Sequence, residues 1–151
     1  MSDPLKEIST IEGVHHSNIT VSDLDRALAF YKDVLGLTFL YKLKTTSSGV
    51  GLEGANRWIA VLKAGDDIVE LIQYVAPRGR PYNMRICDAG CNHLAFRVSD
   101  IYRAYDELRK KGVKFKSAPN EVAKGPMKGW KWVFFNDPDG INLELVEQGS
   151  K

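Results

Sequence analysis

One stretch of this chain is written twice. His16-Ser17-Asn18-Ile19-Thr20-Val21-Ser22-Asp23-Leu24-Asp25-Arg26-Ala27 returns 77 positions later as His93-Leu94-Ala95-Phe96-Arg97-Val98-Ser99-Asp100-Ile101-Tyr102-Arg103-Ala104. In both copies a histidine opens a strand-like run, and Val-Ser-Asp turns it into a helix-like one. Gly36-Leu37-Thr38-Phe39 then matches Gly112-Val113-Lys114-Phe115 at a spacing of 76, and Arg57-Trp58-Ile59-Ala60-Val61 matches Lys131-Trp132-Val133-Phe134-Phe135 at 74. At that last spacing Glu70 falls on Glu144. Self-similarity of this length constrains the fold before any single element is read, and two copies mean a duplicated half-domain rather than a solenoid.

Each copy reads β-α-β-β-β. In the first, Ile19 and Val21 alternate with Asn18 and Thr20, the pattern of a half-buried strand. Ser22 or Asp23 caps a helix carrying Leu24, Ala27, Leu28, Tyr31 and Leu35 at helical spacing, and Gly36 stops it. Strands are expected over 37–43, 58–63 and 68–74, with a turn at Gly65-Asp66-Asp67. In the second copy, strands over 92–98, 113–116, 130–135 and 141–146 accompany a helix over 100–111. Asn136-Asp137-Pro138-Asp139-Gly140 forms the tight turn before the last strand. The chain therefore divides into a first module (11–75), an inter-module loop (76–90) rich in Pro, Gly and Arg, and a second module (91–147). Residues 117–129 form another irregular segment, of the kind that lines sites on rigid scaffolds.

Composition narrows the function. Net charge is +2, with 26% charged and 44% hydrophobic residues, so bulk electrostatic attraction to nucleic acid or membranes is not expected. No apolar run reaches the ~20 residues of a membrane helix, and residues 1–10 are too polar for a secretory signal. The two cysteines, Cys87 and Cys91, are expected as reduced thiols of a cytoplasmic protein. Cys87, Cys91 and His93 cluster, but no second close ligand pair accompanies them as a structural zinc site usually requires.

His16, Glu70, His93 and Glu144 are the candidate metal ligands. A lone strand histidine is more often a hydrogen-bonded core residue, and a lone glutamate more often faces solvent. Here both types recur at matched positions of the repeat. Glu70 and Glu144 also interrupt apolar runs, where an unpaired carboxylate is costly. Two imidazoles and two carboxylates suit a borderline-to-hard divalent ion. His15 has no counterpart in the repeat and is expected beside the site or on the surface.

These motifs carry a resemblance. His16 followed by Val21, Asp23, Leu24, Ala27, Phe30-Tyr31 and Leu35-Gly36-Leu37, then Val69-Glu70-Leu71, His93-Leu94-Ala95-Phe96 with Val98 and Asp100, and Asp137-Pro138-Asp139-Gly140 with Glu144-Leu145, together resemble the vicinal oxygen chelate superfamily (glyoxalase I, bleomycin resistance proteins and extradiol dioxygenases). The likeness covers about residues 11–147. It implies an α+β fold of two βαβββ modules, with curved mixed sheets around a shared metal cavity. It also implies a homodimer and a divalent metal (Ni, Co, Zn, Mn or Fe) held by His16, Glu70, His93 and Glu144.

The ligand set is similar to that of glyoxalase I-like lyases and methylmalonyl-CoA epimerase-like isomerases. In that chemistry a substrate with two neighbouring oxygens chelates the ion and an enolate forms by proton transfer. Glu144 or Glu70 would serve as the base. A ring-cleaving Fe(II) dioxygenase using His16, His93 and Glu144, and a metal-free drug-binding protein, are the alternatives. Where glyoxalase I enzymes carry a glutathione-binding Arg, four residues after the first ligand, this chain has Thr20. Arg78 and Arg80 of the inter-module loop, with Lys124 of the irregular segment 117–129 and Trp130 just after it, are the candidate contacts to a small, anionic substrate. Trp58 and Trp132 recur in the repeat and are read as packing residues.

Overall fold

The computed structural model describes residues 11–149; the polar stretch 1–10, expected to carry no secretory signal, lies outside them. The repeat becomes two four-stranded mixed sheets. In the first module β1 (Ser17–Thr20) leads into α1 (Leu24–Leu28), which continues as a π-helical segment, Ala29–Val34. β2 (Thr38–Ser47), β3 (Ala55–Ala64) and β4 (Asp67–Ala76) follow, in the spatial order β1-β4-β3-β2. The second module has β5 (Leu94–Arg97), α2 (Ile101–Lys110), β6 (Asn120–Glu121), β7 (Lys131–Asn136) and β8 (Asn142–Glu147), ordered β5-β8-β7-β6. β1 pairs with β4, and β5 with β8, in parallel; the other pairings are antiparallel.

The parallel pairs explain the helices. A strand that returns parallel to its neighbour needs a crossover, and the helix supplies it on one face of the sheet. That face is apolar: Leu24, Ala27 and Tyr31 meet Ala60, Leu62, Val69 and Leu71, while Ile101 and Leu108 meet Val133, Phe135, Leu143 and Leu145, all buried in one continuous core. The capping aspartates behave alike, since Asp23 accepts from the Arg26 amide at 2.9 Å and Asp100 from the Arg103 amide at 3.0 Å. Each helix start is also tied to its own sheet. Gln73 accepts from the Leu24 amide and Glu147 from the Ile101 amide, at 2.9 and 2.7 Å. Gly36 and Gly112 end the helices at φ +82° and +92°, a conformation that costs a residue with a Cβ.

Two expectations fail. The strand over 113–116 is absent: Phe115 makes only an isolated bridge to Phe135, and the fourth strand of that sheet is the short β6. Local bonds compete with the ladder here. The Asn120 side-chain amide donates to Ser117 Oγ and to the Ala118 carbonyl, and Pro119 has no N–H to contribute. The repeat also slips by one residue between β3 and β7. Val61 lies opposite Glu70, whereas Phe134, not Phe135, lies opposite Glu144. Trp58 therefore packs toward the core on the helix side, while Trp132 shares the face of Phe134 and Glu144, so only the first tryptophan packs as expected.

The modules are joined asymmetrically. The turn before β8 clasps both ends of the first helix: Tyr31 Oη of the π-helical segment donates to Asp137 Oδ2 at 3.0 Å in a buried setting, and Asp139 accepts from the Ser22 amide and hydroxyl just before α1 and from Arg26 Nη2. Burial, aided by Asp137, pushes the Tyr31 phenol up, and burial raises the Asp137 carboxyl against the bonds it accepts. In return, Lys111 Nζ donates to the Val34 carbonyl at 2.9 Å.

Tyr31→Phe leaves Asp137 short of one buried donor and should cost about 1–3 kcal/mol, read from urea unfolding. Glu147 accepts from Lys131 Nζ at 2.6 Å and from the Ile101 amide, which hold its carboxyl below its ordinary 4.5. That stabilisation is present above pH about 4.5 and is lost as pH falls through the depressed native value. Glu147→Gln keeps the amide acceptor but removes the titration, so its unfolding midpoint should decline less than the wild type's on acidification.

Candidate functional site

The helices cover one face of each sheet and leave the other open. Period-two alternation puts Glu70, Ile72 and Tyr74 of β4 on the open face, because Val69 and Leu71 are in the core. Leu143 and Leu145 place Glu144 on the open face of the second sheet in the same way. The histidines sit one residue ahead of β1 and β5 rather than within them. Parallel registry brings each beside its glutamate: Asn18 is level with Glu70 and Ala95 with Glu144, and each histidine lies two residues earlier on the same face.

The result is two half-sites. His16 Nε2 lies 3.4 Å from Glu70 Oε2, and His93 Nε2 lies 2.9 Å from Glu144 Oε2. The imidazoles are about equally open, with side-chain exposure of 40% and 39%, over better-covered glutamates at 23% and 14%. His15 Nδ1 contacts His16 Nδ1 at 2.9 Å, so one ring carries its proton there. If His16 is the donor, its Nε2 is left with a lone pair for a ligand, the way a partner orients a metal-binding histidine. His93 is held differently, edge-on to Phe134 with centroids 4.9 Å apart. Phe134 in turn packs against Trp132.

Among the described residues no group of three or more His, Cys, Asp or Glu is arranged to hold a metal ion. Each module thus presents one imidazole–carboxylate pair, and the four expected ligands do not converge within one chain. Cys87 and Cys91 add no such group; both are free thiols, and Cys91 Sγ lies 2.9 Å from Tyr82 Oη. Two cavities lie along the β1–β5 seam. One of about 700 Å³ reaches His15, His16, Lys63, Arg97 and Lys111. The other, of about 440 Å³, runs between Asn18, Thr20, Tyr82, Asn92 and His93.

The expected substrate contacts are scattered. Arg78, Arg80 and Lys124 are exposed and form no ion pair among the described residues. Trp130 is half-buried just before β7. Lys131 is committed to Glu147 and lies on the helix side. Thr20 is exposed, level with Ile72. The open faces carry residues that sequence reasoning passed over, Tyr41, Leu43, Ile59 and Arg57 in the first module and Phe134 in the second, beside Trp132, which was read as a packing residue. Counting strand register outward from the two glutamates would have found them.

The model of the Glyoxalase/Bleomycin resistance protein/Dioxygenase superfamily matches residues 13–145. A 2-epi-5-epi-valiolone epimerase of Actinomyces is 36% identical over 142 residues, covering 88% of this chain and 78% of its own. A probable lactoylglutathione lyase of Synechocystis is 34% identical over 146 residues, covering 90% and 95%. A glyoxalase family protein from Bacillus cereus superposes with a TM-score of 0.75 at 20% identity, covering 94% and 97%, a likeness of fold.

Proposed function

The chain belongs to the Glyoxalase/Bleomycin resistance protein/Dioxygenase superfamily, and we propose on that footing that it is a cytoplasmic, divalent-metal-dependent lyase or isomerase acting on a vicinally oxygenated substrate. The observation that carries this reading is the pair of equivalent imidazole–carboxylate half-sites, one on each open sheet face. Relatives named as an epimerase and as a probable lyase support the reaction class. Two unpaired thiols, one of them exposed, fit a reducing compartment.

His16, Glu70, His93 and Glu144 have the donor chemistry for a Zn-, Ni-, Co-, Mn- or Fe-like ion. When bound, such an ion polarises a substrate carbonyl and stabilises the developing oxyanion. The chain's own residues supply the rest. Glu144 and Glu70 are the carboxylates paired with the histidines, and either one would serve as the base that takes the proton next to the substrate carbonyl and returns it. Phe134, Trp132, Tyr41 and Leu43 supply apolar walls that exclude water.

Because the half-sites do not meet in one chain, a homodimer that joins His16 and Glu70 of one copy to His93 and Glu144 of the other completes the set. The exposed apolar residues of β2 support this. Phe39, Leu40, Tyr41 and Leu43 are 38–53% exposed, a run of apolar surface that a second subunit would cover.

Purified protein should bind about one divalent ion per chain and catalyse metal-dependent exchange of a substrate proton in heavy water. A panel of 2-oxo thiohemiacetals, acyl-CoA esters and 2-oxo sugars followed by proton NMR would identify the substrate. His16→Ala and His93→Ala should each abolish exchange. Mixed and reassembled, they should regain about a quarter of wild-type activity, because random pairing leaves one intact site in half the dimers. No metal binding and no exchange would sink the reading; inactive mixtures of stable dimers would place the site within one chain.

A further inference from the structure

We propose that Arg57 and Tyr74 form an anion-binding subsite on the open face of the first module, so that the substrate is an elongated molecule with a carboxylate or phosphate remote from its reacting oxygens. The inference rests on the reading above for where the reacting end lies.

Arg57 lies four positions before Val61 along β3, and Val61 stands opposite Glu70. Arg57 stands opposite Tyr74 by the same registry, so both share the face of Glu70. Between them lie Ile59 and Ile72, themselves paired. Tyr74 lies four positions along β4 from Glu70, about 13 Å at the usual strand rise. The face therefore reads as carboxylate and imidazole at one end, an apolar middle, and a guanidinium at the other.

The state of that guanidinium points to a ligand. Arg57 Nε is buried and has no hydrogen-bond partner. Its Nη1 reaches Tyr74 Oη only at 3.4 Å, and its guanidinium carbon lies 5.9 Å from the centre of the Tyr74 ring. Several half-buried or surface cations have carboxylates, as Lys131 has Glu147, Arg26 has Asp139 and Lys42 has Asp25, and the unpaired Arg78, Arg80 and Lys124 are exposed to water. Arg57 has none among the described residues. A buried guanidinium N–H without an acceptor costs free energy, and a bidentate oxyanion is the partner its fork geometry fits. Asn56 Oδ1 beside it is also unpartnered, but alternation along β3 carries Asn56 to the opposite face.

The first test needs no metal and no known substrate. The Arg57 Nε–H resonance of the ¹⁵N-labelled, full-length protein is followed while inorganic phosphate or succinate is added, with chloride at equal ionic strength as the control. A saturable shift with either anion and none with chloride is expected, and it should persist in Glu70→Ala, whose metal half-site is broken. The two arms distinguish phosphate from carboxylate. A resonance unmoved by both anions overturns the subsite even if metal-dependent exchange is found; a shift without any exchange leaves the subsite standing and removes the proposed reaction.

With a substrate from the exchange panel, Arg57→Gln should raise KM about ten- to hundredfold with kcat within about threefold, the mark of binding that is equal in ground and transition states. Arg57→Lys should restore part of the loss, and Tyr74→Phe should cost less than Arg57→Gln. An equal fall of kcat in all three variants would show a structural role instead and overturn the proposal.

Discussion

The parallel pairing of each module's first strand with its last is the contact on which the rest of the molecule depends. It forces a crossover, so a helix must cover one face of the sheet. That helix uses up the apolar residues of β4 and β8, Val69 with Leu71 and Leu143 with Leu145. The intervening glutamates then have nowhere to go but the open face. The same registry sets Asn18 level with Glu70 and Ala95 level with Glu144, which draws the histidines two residues upstream to their sides. One backbone arrangement thus produces the core and both half-sites.

Pseudo-symmetry holds where this pairing governs and fails elsewhere. Gln73 and Glu147 both reach the start of their own module's helix, yet only the second is ionised and tied to a lysine. The turn before β8 grips α1 and its π-helical continuation through Asp139 and Asp137, while Gly65 and Asp67 of the matching turn line the larger seam cavity. The outer strand of the second sheet has shrunk to two residues. These unequal parts leave the open face of the first module broad and apolar with Arg57 at its far end, and that of the second compact and aromatic around His93.

Much of the candidate site was legible before the fold. The repeat named His16, Glu70, His93 and Glu144 because equivalent positions in a duplicated module meet equivalent surroundings, and a carboxylate inside an apolar run is conspicuous. Arg57, Tyr74, Trp132 and Phe134 were not legible in this way. Their membership of the site depends on hairpin register, and a one-residue slip between β3 and β7 exchanges the faces of the two tryptophans. The loop residues Arg78, Arg80 and Lys124 drew notice through charge alone, which says nothing about where a loop lies.

Sequence alone determined the duplication, the strand–helix order, the capping aspartates and the four candidate ligands, because periodicity and side-chain chemistry are local. Tertiary structure decided that the candidate ligands stand as two pairs, that Phe134 and Trp132 lie beside the second pair, and that Arg57 Nε on the open face has no acceptor among the described residues. Those depend on register and on how the modules pack, quantities set by contacts between residues distant in the chain.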